Sequence, residues 1–171
     1  KYSAPKVVGR LTVSEINECS GIAVSRIQPV IWVHNDSGDT ARIFALKGKG
    51  NLAVVIGLKG VRAIDWEDAS LGPHPKGGYG VFIGDIGDNL CFRKFIRVFC
   101  IKEPKLDLNA APKTFLISNY LTFNLHYPDK PHNAEAFLVD PKTGDFYILT
   151  KEPDGRSIVF FTPSPKAGRK T

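Results

Sequence analysis

The 171-residue chain predicts an all-β fold, an incomplete β-propeller of about two and three-quarter four-stranded blades. Three observations lead there. Short runs of β-branched and aromatic residues dominate, cut by Gly, Pro, Asn and Asp, with almost no helical periodicity. These runs repeat. The last repeat stops before its fourth strand.

The runs come in three series. Residues 7–13 stand first, by themselves. Residues 21–25, 30–34, 41–46 and 52–58 make one series; 68–71, 80–84, 96–101 and 114–125 a second; 134–139, 145–150 and 157–161 a third. The series align on Ile31-Trp32-Val33-His34, Val81-Phe82-Ile83-Gly84 and Phe146-Tyr147-Ile148-Leu149. Their aromatic anchors Trp32, Phe82 and Tyr147 lie 50 and 65 residues apart. A multi-strand repeat at that period marks a propeller blade. The expected organisation is a latch strand of a final blade in 1–14, blade 1 in 15–60, blade 2 in 61–130, an incomplete blade 3 in 131–163 and a basic tail in 164–171. A blade cannot bury its faces unaided, so the remaining blades are expected from another chain, a fragment or further sequence. A small complete sandwich is the competing architecture.

Composition narrows the function classes. Hydrophobic residues make up 43% and charged residues 23%, a globular balance. No apolar run reaches the roughly 20 residues that span a bilayer. The chain begins at Lys1 and contains no Met, which suggests a processed or partial chain. The net charge of +6 is mostly scattered and accompanies no nucleic-acid motif, so a solvated basic surface is expected and no nucleic-acid partner. Cys19, Cys91 and Cys100 are an odd set. A Cys91–Cys100 bridge and three small unbridged hydrophobes are both open. Asn35-Asp36-Ser37 fits the N-glycosylation pattern.

The repeat also places loops. In a propeller, innermost-strand entries and second-to-third turns open on one face. Here they carry Glu18-Cys19-Ser20, Asp65-Trp66-Glu67-Asp68 and His132-Asn133-Ala134-Glu135, with His34-Asn35-Asp36-Ser37, Gly84-Asp85-Ile86-Gly87-Asp88-Asn89 and Lys151-Glu152. The expected polar set is therefore Asn35, Asp36, Glu67, Asp68, Asp85, Asp88, Asn89, Asn133 and Glu135. Asp, Asn and Gly also serve turns. Glu67 and Glu135 stand where no turn former is needed, so they require a cation, an Arg or hydrogen-bond donors. Arg62 and Lys151 are candidate neutralisers. Oxygen-only ligands suit calcium rather than zinc, and His74 and His126 have no ligand spacing. His34 and His132 fall on the same face, as structural residues or as bases. No nucleophile elbow, phosphate loop or dinucleotide fingerprint is present.

Four motifs taken together resemble a largely uncharacterised, often secreted family of WD-repeat-like propeller proteins: His34-Asn35-Asp36-Ser37-Gly38-Asp39, Asp65-Trp66-Glu67-Asp68, Gly84-Asp85-Ile86-Gly87-Asp88-Asn89 and His132-Asn133-Ala134-Glu135-Ala136. The resemblance spans about residues 15–160, in order. It implies a six-bladed ring of which this chain is roughly the first half. The cysteines depart from the family pattern, which leaves their role open and favours an oxidised extracellular setting. The leading expectation is a secreted binding or scaffold module whose acidic-amide face holds calcium or a small polar ligand. The alternative is a calcium-dependent hydrolase of the lactonase or esterase type, by analogy with other six-bladed propellers. There His34 or His132 would be the base, and Glu67, Asp88, Asn89, Asn133 and Glu135 the metal set.

Overall fold

Runs of four to eight residues bounded by turn formers are too short for stable helices, and the described residues contain none. A computed structural model describes residues 3–168. They form twelve strands: β1 (Cys19–Val24), β2 (Val30–Asn35), β3 (Arg42–Lys47), β4 (Asn51–Leu58), β5 (Trp66–Pro73), β6 (Tyr79–Asp85), β7 (Ile96–Lys102), β8 (Lys113–Ile117), β9 (Leu121–Leu125), β10 (Ala134–Val139), β11 (Phe146–Thr150) and β12 (Val159–Thr162). Among the described residues no helix is long and apolar enough to cross a membrane.

The strands build three sheets, ordered β1-β2-β3-β4-β8, β5-β6-β7-β9 and β10-β11-β12. All pairs are antiparallel except β4 with β8. The first strands lie side by side, with β5 between β1 and β10. Gly21 permits that approach: a Cβ there would collide with His34 Nε2 and with the backbone of β5.

Strand alternation makes the middle sheet apolar on both faces. Val81, Ile83, Phe99 and Ile101 face the first sheet, where they meet Trp32, Ile43 and Ala45. Phe82, Val98, Cys100 and Phe123 face the third, where they meet Phe137, Phe146 and Ile148. Phe82, Phe123 and Phe137 surround Phe146 at centroid distances of 5.1–5.5 Å, edge to face. Each such buried ring contributes about 1.5–3 kcal/mol over leaving it in water. The third sheet is also apolar on its far side. Leu138, Tyr147 and Phe161 are cross-strand neighbours there, and Leu138 and Phe161 are exposed.

Several expectations change. Residues 7–13 form no strand; they run past the β3–β4 turn, where Arg10 donates its N–H to Lys49 O at 3.2 Å. Val7 and Val8 find no partner strand and stay exposed. The 114–125 run divides into β8 and β9, and β8 leaves the second series to pair with β4. Side chains of the first sheet draw the preceding segment over. Trp32 Nε1 donates to Glu103 at 2.9 Å, Gln28 binds Pro104 O and Leu106 N, and Lys47 Nζ donates to Leu108 O. The third sheet has three strands, matching the unfinished third series. The three sheets do not close into a ring. No Cys91–Cys100 bridge forms: Cys91 is exposed in the β6–β7 loop, Cys100 is buried in the core, and Cys19 is also free.

Candidate functional site: an acidic cluster at the strand entries

Each sheet's first strand slips register near its start. The shifts lie between Cys19 and Ile22, between Trp66 and Asp68, and between Ala134 and Ala136. A bulge leaves one residue unpaired and re-aims its side chain. In β5 and β10 that residue is a glutamate, Glu67 and Glu135.

Glu67 meets Asp36 from the β2–β3 turn and Asp65 from the entry to β5. One carboxylate oxygen from each lies within 4.8 Å of the others. Among the described residues this is the group of carboxylates close enough to share a cation. The floor is Gly87, where a Cβ would collide with Asp65 Oδ2 and Glu67 Oε1. The N–H groups of Ile86 and Gly87 hold Asp65 O at 3.1 Å. Glu67 is 7% exposed, and none of its carboxylate oxygens accepts a hydrogen bond from the described residues.

The electrostatics follow from that crowding. Burial first, then the charges of Glu135, Asp36 and Asp65, push the Glu67 carboxyl up to about 8, against the pull of Lys151. Asp65 is raised by burial and then by Asp36, with Arg93 opposing. Lys151 Nζ bonds Glu135 Oε1 at 3.0 Å, and that bond is the main reason the ammonium is raised. Lys151 is thus the neutraliser of Glu135, as anticipated; Arg62 makes no ion pair among the described residues.

The other expected residues hold the surrounding loops. Asn35 is buried; its Nδ2 donates to Glu15 O and Asp39 Oδ2, and its Oδ1 accepts from Glu18 N. That rules out glycan attachment on the folded chain. Asp68 turns away from Glu67 and accepts from Ala69 N and Phe137 N, joining β5 to β10. Asp85 is fully buried between Arg93 at 2.9 Å and Arg97 at 3.1 Å. Asp88 accepts from Arg93 N and donates its own N–H to Asn133 Oδ1. Asn133 Nδ2 reaches Asn89 and Glu135. The anticipated gathering of distant loops is therefore real, but most of these polar atoms are satisfied by one another.

The histidines are enclosed. His34 Nδ1 lies 2.7 Å from Asn35 O, its ring packs edge-on against Trp66, and burial lowers its proton affinity. His132 sits with Nδ1 2.8 Å from Glu152 Oε1 and Nε2 3.1 Å from Asp129 Oδ2.

Asp65 is the member that sequence reasoning left out of the ligand set. It stands just before β5, two residues from Glu67, and the bulge that re-aims Glu67 brings the two together; alternation alone does not reveal that. Comparison with protein-family models, curated proteins and solved structures finds no match.

Proposed function

We propose that this chain is a segment of a β-propeller binding module whose loop face holds a hard divalent cation, calcium, between Asp36, Asp65 and Glu67. The observation that carries this reading is Glu67, an almost buried carboxylate set against two others and given no donor. Three carboxylates crowded together, one of them nearly buried, repel one another, and a shared cation offsets that repulsion. The all-oxygen donors select calcium over zinc. Three protein carboxylates leave much of the usual shell of 6–8 oxygens to water, so the expected Kd is on the order of 10⁻⁴–10⁻³ M, as in extracellular modules.

The propeller part of the proposal rests on three meandering sheets with adjacent first strands, each bulged at the same place. The hydrolase alternative gains nothing comparable, because His34 is buried against Trp66 with its Nε2 lacking a partner among the described residues, and His132 is held between Glu152 and Asp129. The test is a calcium titration by calorimetry on the chain and on its Asp65→Asn/Glu67→Gln variant. The expected result is saturable heat that weakens at least about tenfold in the variant. Identical isotherms for the two proteins, or no heat at millimolar calcium, would sink the calcium reading.

A further inference from the structure

The connection between β6 and β7 begins at the acidic cluster and ends as something different. Past Gly87 it rises through Leu90, Cys91 and Phe92 and returns through Arg93, Lys94 and Phe95. Leu90 and Phe92 are 79% and 69% exposed, and neither belongs to a core cluster. Phe95 leans on the His126 ring at 5.8 Å. Exposed apolar side chains scattered singly are unremarkable in proteins, but two at the apex of one loop are not scattered.

This apex is braced. Cys91 N donates to Asp88 O at 2.8 Å and Arg93 N to Asp88 Oδ2 at 2.7 Å. The Arg93 guanidinium turns inward to Gly87 O and Asp85. Asp88 is itself anchored to Asn133. Cys91 sits at φ 50°, a left-handed conformation that costs a non-glycine residue about 1–2 kcal/mol. Buried polar bonds thus hold a strained turn in order, and that turn lifts Leu90 and Phe92 off the surface. Strain retained by its surroundings is a pointer to function.

The charge beside the apex is positive. Lys94 is exposed and makes no ion pair among the described residues. Its backbone carbonyl meets His126, whose segment continues through the exposed Asp129, paired with His132, to the exposed Lys130. Apolar tips beside a free ammonium group match a bilayer interface: the tips enter the acyl boundary and Lys94 meets lipid phosphate. A protein partner would draw on arginine anchors at such a centre, and here Arg93 and Arg97 are both directed inward onto Asp85. We infer that the β6–β7 loop is a docking tip for anionic lipid surfaces, with Leu90 and Phe92 inserting and Lys94 pairing with headgroup phosphate. The inference does not depend on calcium at the neighbouring carboxylates.

The test is flotation of the chain with phosphatidylcholine vesicles, with and without phosphatidylserine, in reductant, once with calcium and once with chelator. The expected result is flotation with the phosphatidylserine vesicles in at least one of those two conditions. Leu90→Ser/Phe92→Ser should lower that partition about tenfold or more, and Lys94→Glu about fivefold. Both changes are at exposed positions, and matching thermal melts would show that the fold is kept. Wild type that floats with neither vesicle overturns the inference and directs the tip to a protein partner. Equal flotation of the Leu90→Ser/Phe92→Ser variant also overturns it.

Discussion

A nearly buried glutamate crowded by other carboxylates, its carboxylate oxygens accepting no hydrogen bond from the described residues, favours taking up a proton or a cation, and Glu67 is in that position. This gives calcium-free protein a defined pH response. The group's folded value of about 8 stands above its ordinary 4.5, so between those pH values the folded chain holds a proton that the unfolded chain has released. Stability from this group is fully present below about pH 4.5 and falls as pH rises to about 8. Glu67→Gln cannot lose that proton. Urea unfolding in chelator at pH 5 and pH 8 should show wild type losing more stability across the interval than the variant. Asp68 is also raised but turns away from Glu67, so it contributes alike to both proteins, whereas Asp65 repels Glu67 directly and its own pH response shrinks in the variant, which widens the difference in the same direction. Parallel curves would mean that the Glu67 carboxyl is not displaced. At this scale the sequence was informative about Glu67, because a glutamate at a strand entry does no turn-forming work. It was silent on which of its neighbours were already satisfied. Asn35, Asp68, Asp85 and Asp88 look like ligands in sequence, yet each is committed to a specific backbone group or arginine.

At the scale of elements, the repeated bulge explains why Glu67 and Glu135 face the loops while Asp68 faces β10. Hydrophobic alternation gives the runs, but it does not reveal where a ladder slips by one residue, so the bulges were not legible. The departure of β8 was hidden for a related reason. Its partner β4 lies over 50 residues away, and the side chains that draw the segment across, Gln28, Trp32 and Lys47, belong to another series. The β6–β7 connection makes a sharper prediction. Asp85 is fully buried and is the shared partner of Arg93 and Arg97 while also accepting from Asp65 N. Asp85→Ala leaves two guanidinium groups facing each other without their anion, which should cost about 3–5 kcal/mol. Chemical unfolding measures this directly. A loss below about 1 kcal/mol, the range of surface pairs, would show that water reaches the arginines.

Across the whole molecule, what the sequence made legible was the all-β class and the run of short strands. Trp32 and Phe82 are buried anchors of successive sheets, and the unfinished third series is the three-stranded sheet β10-β11-β12. Ring closure could not be read in the same way, because it depends on surfaces outside these three sheets. Those surfaces are visible. Leu138, Val159 and Phe161 are exposed on the far side of the third sheet, and Ile22 and Val24 on the first strand of the first. The middle sheet shows what such faces become when covered: it is apolar on both sides and buried on both. If the propeller proposal is right, the outer faces are blade-packing surfaces, and the chain by itself should associate through them. Sedimentation at increasing concentration should then show species heavier than the 18.8 kDa monomer. Leu138→Ser/Phe161→Ser should shift the population back toward monomer without lowering the melting temperature, since both side chains meet water in the single chain. A wild type that stays monomeric at high concentration and binds no hydrophobic dye would mean that the outer faces tolerate water. The three sheets would then be a complete small β structure rather than part of a ring.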